Sequence, residues 1–202
     1  GAAPPAHPRH RDPRRRQPKM SKPSIDDSPA LSILAHAVES AQTRVVAVLT
    51  ADGVDDRMVA ALRKAAQDEG ARLKIIAPRL GKIHGVDKDI EADATFLTSA
   101  SVLFDAVFVP GGEKSCSTLA ATPQVVAFLN DAHRHFKTIG AGGAGVEVLA
   151  KSRAMDDVAE GDRSKKQVID RDGVIFGRDA TANRLATAFI EAVAKHRHWT
   201  RI

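Results

Sequence analysis

The chain has 202 residues, 43% of them hydrophobic, with one Trp and no Tyr, which is enough for one well-buried domain plus appendages. A single cysteine, Cys116, excludes an internal disulfide and any cysteine-based zinc cluster, and no run nears the roughly 18 apolar residues of a membrane span. The net charge of +5 is confined to residues 1–19, which hold six Lys+Arg against one Asp and leave 24 of each sign in the remainder, so the basicity belongs to a tail.

Residues 1 to about 29 are rich in Pro and Arg and offer few large apolar side chains to offset the entropy of ordering. They read as a disordered linker, and PRHRDPRRRQPK (Pro8–Lys19) as a solvated stretch rather than an anionic-surface tether. The start, GAAPPAHPRH, lacks the apolar core of a signal peptide, so a soluble, cytoplasmic protein is expected. SPALSIL (Ser28–Leu34) is a short apolar anchor. Arg44–Thr50 (RVVAVLT) is a β-branched run bounded by polar residues and predicts a buried strand. After Asp52-Gly53, Asp55 or Asp56 caps a helix with Val59, Leu62, Ala65 and Ala66 at helical spacing, ending at Gly70. Leu73–Ala77 is the second strand, closed by Pro78, and Gly81–Thr95 is a small hairpin or irregular excursion. Ser101–Phe104 leads into a third strand, Ala106–Val109, which ends in Pro110-Gly111-Gly112. Pro123 opens a helix with an apolar face of Val125, Val126, Phe128 and Leu129, running to His135. Thr138–Leu149 (TIGAGGAGVEVL) is a strand, a sharp turn of small residues and a new helix. Beyond a charged loop, Lys151–Lys166, Val168–Asp170 and Val174–Phe176 form strands about Asp172-Gly173. The last helix, Ala182 to about His196, carries Leu185, Ala186, Phe189, Ile190 and Val193. Alternating strands and helices predict an α/β, flavodoxin-like three-layer sandwich over residues 30–202: a mostly parallel central sheet with helices on both faces.

The glycine turn lies at the carboxyl end of a central strand, where α/β domains present ligands and nucleophiles. It contains no Ser, Cys or Thr, so it has the shape of a nucleophile elbow without a nucleophile. Gly140, Gly142 and Gly145 fit GxGxxG, but they follow a late strand, and the turn after the first strand carries Asp52, Asp55 and Asp56, which would repel a pyrophosphate. His133 with His135 and His196 with His198 are spaced two apart at helix ends and point to different faces, as surface or helix-terminal histidines. Cys116 falls near the start of a helix, where amides can lower a thiol pKa, yet the sequence names no base beside it, so a bystander thiol is expected.

In order, RVVAVLTADGVDD, SVLFDAVFVPGG, HFKTIGAGGAGVEVL and DGVIFGRDATANRLATAFIEAV resemble the PfpI-type, class I glutamine amidotransferase-like superfamily over about residues 43–196. More narrowly, SPALSIL, SVLFDAV and HRHFKTIGA resemble the carboxyl-terminal domain of large-subunit haem catalases. The resemblance places Gly143 where active members carry the elbow cysteine, followed by Ala144 and Gly145. Met58 stands where they carry a supporting carboxylate, with Asp55 and Asp56 close by, and Gly111-Gly112 stands where amides form an oxyanion hole. It therefore implies a degenerate elbow at Gly143, a residual pocket of Gly111, Gly112, Ala144 and Gly145, and no catalytic residue.

The implied function is that of a non-catalytic carboxyl-terminal domain in a parent that dismutates hydrogen peroxide. No cofactor is expected in this chain; haem belongs to the parent's core, and a chain without Tyr supplies no tyrosine axial ligand. The implied partners are the catalase core and neighbouring subunits of a homotetramer, with roles in stability and peroxide access. Exposed apolar surface at Ser28–Leu34 and Trp199–Ile202 would dock on the core and give chaperone-like binding of unfolded chains. Neither nucleic acid nor membrane is expected as a partner. The alternatives are a PfpI-type hydrolase or glyoxal-modifying enzyme using Cys116 and, in a different class, a nucleic-acid-binding module driven by the Arg-rich tail.

Overall fold

The computed structural model describes residues 39–156, 158–163 and 167–201; the expected linker and tail over 1–29, the Ser28–Leu34 anchor and Ile202 lie outside them. In chain order the elements are β1 (Val45–Leu49), α1 (Asp56–Asp68), β2 (Arg72–Ala77), β3 (Gly81–Ile83), β4 (Ile90–Ala92), β5 (Ala94–Thr95), β6 (Ala106–Val109), α2 (Glu113–Ala120) and α3 (Pro123–Arg134). There follow β7 (Thr138–Gly142), α4 (Gly145–Leu149), α5 (Glu160–Arg163), β8 (Ile169–Arg171), β9 (Val174–Gly177) and α6 (Ala182–Ala194).

Strand alternation divides the core in two, because successive side chains point to opposite faces of a sheet. Val46 and Val48 of β1 and Phe108 of β6 join one apolar cluster with Leu62 of α1 and Phe189 of α6. Ala47 and Leu49, with Val107 and Val109, join the other, with Leu119 of α2, Phe128 of α3 and Val146 of α4. The result is the predicted α/β three-layer sandwich. Its sheet runs β5-β2-β1-β6-β7-β9-β8, parallel throughout except where β8 pairs antiparallel with β9.

Local chemistry sets the boundaries. Asp55, in extended backbone, caps α1: its Oδ1 accepts the Met58 N–H at 3.1 Å, which decides between the two candidate caps. Pro123 occupies the first turn of α3, where a missing N–H costs nothing. Asp172 (φ 47°) and Gly173 (φ 81°) form the two-residue turn of the β8–β9 hairpin. The Gly81–Thr95 excursion is the β3–β4 hairpin followed by β5, which adds an edge strand beside β2. The Lys151–Lys166 segment, read as loop, contains a 3-10 turn at Arg153–Met155 and the four-residue α5, because Ala154, Met155 and Val158 find buried positions.

The segment after α6 crosses the amino-terminal ends of the strands. The His198 N–H donates to the Phe136 carbonyl (2.8 Å), and the Arg201 guanidinium donates to the carbonyls of Asp172 and Lys137. His198, expected at the surface, is therefore only 8% exposed, with Nε2 2.9 Å from Thr138 Oγ1.

Candidate functional site

At the opposite pole, the loops leaving the carboxyl ends of β1, β6, β7 and β9 surround a cleft of about 580 Å³. From β1 the chain passes outward to β2 on one side and returns to β6 on the other, so the cleft opens at the switch in strand order where α/β sheets bind ligands. Asp55 lines it from the β1 side, Gly112 and Glu113 from the β6 side, Gly143 and Ala144 from the elbow, and Arg178 and Asp179 from the end of β9.

The elbow itself is built. Gly143 sits at φ +54° between β7 and α4, and its N–H donates to the Gly177 carbonyl at 3.1 Å. A Cβ at this position would lie 3.5 Å from Gly111 Cα and 4.0 Å from the Arg178 carbonyl, in ordinary contact, facing Gly111. The backbone thus presents a side-chain position to the cleft, and the residue there has no side chain. Gly112, at φ +104°, passes so close to the loop after β1 that a Cβ would collide with the Gly53 carbonyl, while the Gly111 carbonyl accepts the Asp55 N–H at 2.9 Å. The structure brings Gly111, Gly112 and Gly143 together, but of the expected residual pocket only Gly112 and Ala144 line the cleft, while Gly145 packs against the Val109 carbonyl.

Among the described residues, Met58 and not a carboxylate lies below the elbow. Met58 is 4% exposed, and its Cε and Sδ lie 2.8 Å and 3.5 Å from where a Cβ on Gly142 would be. Asp55 is engaged as the α1 cap, and Asp56 Oδ1 accepts the Asp87 N–H at 2.8 Å. On the rim Arg57 pairs with Asp87 at 2.6 Å, and Arg178 is ion-paired with Glu147. The His84 backbone N–H holds the Asp52 carboxyl below its usual range, with Arg79 helping against partial burial.

Cys116 has the surroundings of a bystander thiol, not of one activated at a helix start. It lies in α2, 4% exposed within the apolar cluster, its thiol donating to the Pro110 carbonyl at 3.3 Å. Burial pushes the thiol pKa up to about 12, so desolvation overrides whatever the amides contribute. It is not among the residues lining the cleft. The GxGxxG spacing is a packing pattern: side chains at Gly140, Gly142 and Gly145 would strike the Phe108 and Phe189 rings, the Met58 thioether and the Val109 carbonyl. Among the described residues no group of three or more His, Cys, Asp or Glu is placed to hold a metal ion, and no helix is long and apolar enough to cross a membrane.

The cleft residues not anticipated from sequence are Arg57, Val86, Asp87, Glu113, Arg178 and Asp179. A strand ending at Gly177 would have flagged Arg178-Asp179. Val86 and Asp87 gave no signal, because the Val54–Gly85 bridge carries them in.

Residues 42–202 match the family described as the C-terminal domain found in long catalases. The chain belongs to that family. Among its relatives it is 37% identical over 185 residues to Catalase-2 of Bacillus subtilis, covering 91% of this chain and 24% of that protein. To Catalase HPII of Mycobacterium avium it is 34% identical over 193 residues, with 91% and 27% covered. The chain thus spans about a quarter of the length of these relatives. In fold it is similar to Drosophila melanogaster DJ-1beta, with a TM-score of 0.65 and 20% identity over 76% of this chain and 92% of that one. A ThiJ/PfpI domain protein from Brachyspira murdochii gives 0.61 at 18% identity, over 74% and 95%. The chain therefore has a DJ-1/PfpI-like fold.

Because a Cβ at 143 meets no backbone closer than 3.5 Å, Gly143→Ala is expected to cost only the strain of a left-handed residue, about 1 kcal/mol. Urea unfolding of the two proteins measures it. A loss above about 3 kcal/mol would mean a collision and a differently shaped elbow.

Proposed function

We propose that this chain is the non-catalytic carboxyl-terminal domain of a large-subunit haem catalase, whose parent reaction is hydrogen peroxide dismutation. The observation that carries the reading is Gly143: family membership coincides with an elbow that points at Gly111 and bears no nucleophile. The remaining groups agree. Met58 offers neither charge nor proton below the elbow, Cys116 is a buried thiol with negligible thiolate at neutral pH, and of the residual pocket Gly112 and Ala144 line the cleft beside Gly143, with backbone and one methyl group. Haem would reside in the parent's core. This chain has no tyrosine to serve as an axial ligand.

In this reading residues 1–29 link the domain to the core. The domain stabilises the assembly of neighbouring subunits, borders the path of peroxide to the haem and lends apolar surface to unfolded chains.

The test compares the full-length gene product with the 202-residue chain. A Soret band and peroxide turnover are expected in the first. In the second we expect no turnover of peroxide, glyoxals or peptides, before or after treatment with iodoacetamide. A native product of this length without haem would overturn the reading, as would glyoxal or peptide turnover abolished by Cys116→Ala.

A further inference from the structure

The pole opposite the cleft, at the amino-terminal ends of the strands, carries four independent signs of a missing neighbour. First, Arg44 Nε and Ser101 Oγ are buried without a hydrogen-bond partner among the described residues, and both lie here, just before β1 and β6. Buried polar atoms are nearly always paired, and each exception calls for a cause.

Second, cations outnumber carboxylates around Asp105. Arg44 Nη1 is 3.6 Å from Asp105 Oδ1, the His196 ring, kept neutral at neutral pH by burial, has Nε2 3.5 Å from the same oxygen, and Oδ2 is occupied by the Val45 N–H at 2.9 Å. Arg197 and Lys137 both lie within the Coulomb field of this carboxylate. The buried Lys137 ammonium donates to the Ser101 carbonyl at 2.6 Å, and the next carboxylate it feels, Asp131, is ion-paired with Arg134.

Third, large apolar side chains project here. Val102 is 78% exposed and Leu103 62%, beside the carbonyl that Lys137 grips, and Trp199, 51% exposed, leans on Phe136 with ring centroids 5.3 Å apart.

Fourth, the chain enters at this pole. The Ser40 N–H donates to the Ala194 carbonyl at the end of α6 (3.1 Å), which places residue 40 next to the segment holding Arg197 and Trp199. The matched family is the C-terminal domain of long catalases and covers 24% of the Bacillus subtilis relative, so in the proposed parent the other three-quarters would precede the first described residues, which lie at this pole.

We infer that this pole, centred on Val102, Leu103, Trp199, Arg44 and Arg197, is the docking surface for the preceding part of the parent polypeptide, which meets it with an apolar patch rimmed by carboxylates. Two copies of the pole facing each other would set cation against cation. A nucleic acid would leave the three apolar side chains without a counterpart. The cleft, at the far end of the strands, stays open in the docked domain.

The inference rests on the proposed parentage, and thiol labelling separates the two. Cys116 is buried, so a cysteine introduced at an exposed position is the reactive one. In the 202-residue chain, Val102→Cys and Val86→Cys, the latter at a 68% exposed position on the cleft rim, are expected to react with a maleimide at comparable rates. In the full-length protein the Val102→Cys variant should label at least about tenfold more slowly, since thiol reactivity follows access, while Val86→Cys is unchanged. Equal rates in the full-length protein overturn the docking. So does slow labelling at 102 in the 202-residue chain, which would mean that a second copy, or the chain itself, covers the pole. Peroxide turnover without protection at 102 leaves the parentage standing and removes the docking surface. Protection without peroxide turnover does the reverse.

Discussion

Truncating Phe108 to alanine is expected to lower the unfolding free energy by about 4 kcal/mol, a large share of the roughly 5–15 kcal/mol that holds a domain together. Phe108 is fully buried in β6, in register with Val48 of β1 on one side and Gly140 of β7 on the other. Its ring meets Phe189 of α6 edge-on, with centroids 4.9 Å apart and planes at 73°, the arrangement favoured by opposed ring quadrupoles. Both rings lie over Gly140 so closely that a Cβ there would strike each of them. Strands on either side and α6 above hold the site open, so it cannot collapse, and the loss combines transfer and cavity terms. Gly140→Ala alone should destabilise by about 1–3 kcal/mol through overpacking. Combined with Phe108→Leu, it should cost about 1 kcal/mol less than the sum of the two single changes, because the smaller side chain makes room for the methyl. Denaturant unfolding of the five proteins (wild type, Phe108→Ala, Phe108→Leu, Gly140→Ala and the Phe108→Leu/Gly140→Ala double) decides the matter. A Phe108→Ala loss below about 2 kcal/mol, or strict additivity in the cycle, would mean that ring and glycine do not share this space.

How much of this could be read from the sequence depended on whether the determining contacts were local. β1, β6 and β7 are covered on both faces, so their apolar runs stand out against polar flanks. The elbow was legible because Gly142-Gly143-Ala144 must turn sharply between a strand and a helix, and the family resemblance supplied what belongs at Gly143. Contacts made across long separations were not legible. β5 is two residues that become a strand only beside Ile76 and Ala77. Cys116 sits near a helix start in the sequence, yet its protonation is set by the apolar side chains packed over it. In AKHRHWTRI, His198 looks like any polar residue of a terminal segment. Its burial is decided by Phe136 and Thr138, about sixty positions earlier. The cleft followed the same rule: glycines at strand ends could be anticipated, while Val86 and Asp87 arrive by a bridge that no pattern announces.

Acidification is expected to test that buried histidine directly. Burial holds the His198 pKa down to about 4, with Arg201 and Lys195 adding to the effect against Asp170 and Asp172. In the unfolded chain the imidazole returns to about 6.5. The sign follows from linkage: below the unfolded value, the unfolded state binds a proton that the folded state refuses, so stability falls with pH. The contribution is fully present above about pH 6.5 and is lost as pH drops toward about 4, amounting to at most roughly 3 kcal/mol and less to the extent that the ring edge meets water. Neutral imidazole suffices for the local bonding. The Thr138 hydroxyl lies 3.2 Å from the Ala192 carbonyl and 2.9 Å from His198 Nε2, so when it donates to the carbonyl an Nε2–H can donate to its oxygen. His196 is shifted downward as well, by burial and then by Arg197 and Arg44 against Asp105, so it adds a smaller term of the same sign. Urea midpoints between about pH 7 and pH 4 should therefore fall steeply for the native chain. The His198→Gln variant should start lower at neutral pH and fall more gently, retaining only the slope from His196 and the remaining titratable groups. If the two proteins lost stability in parallel across that range, His198 would be titrating as it does in water, and the segment from His198 to Arg201 would not be packed over Thr138.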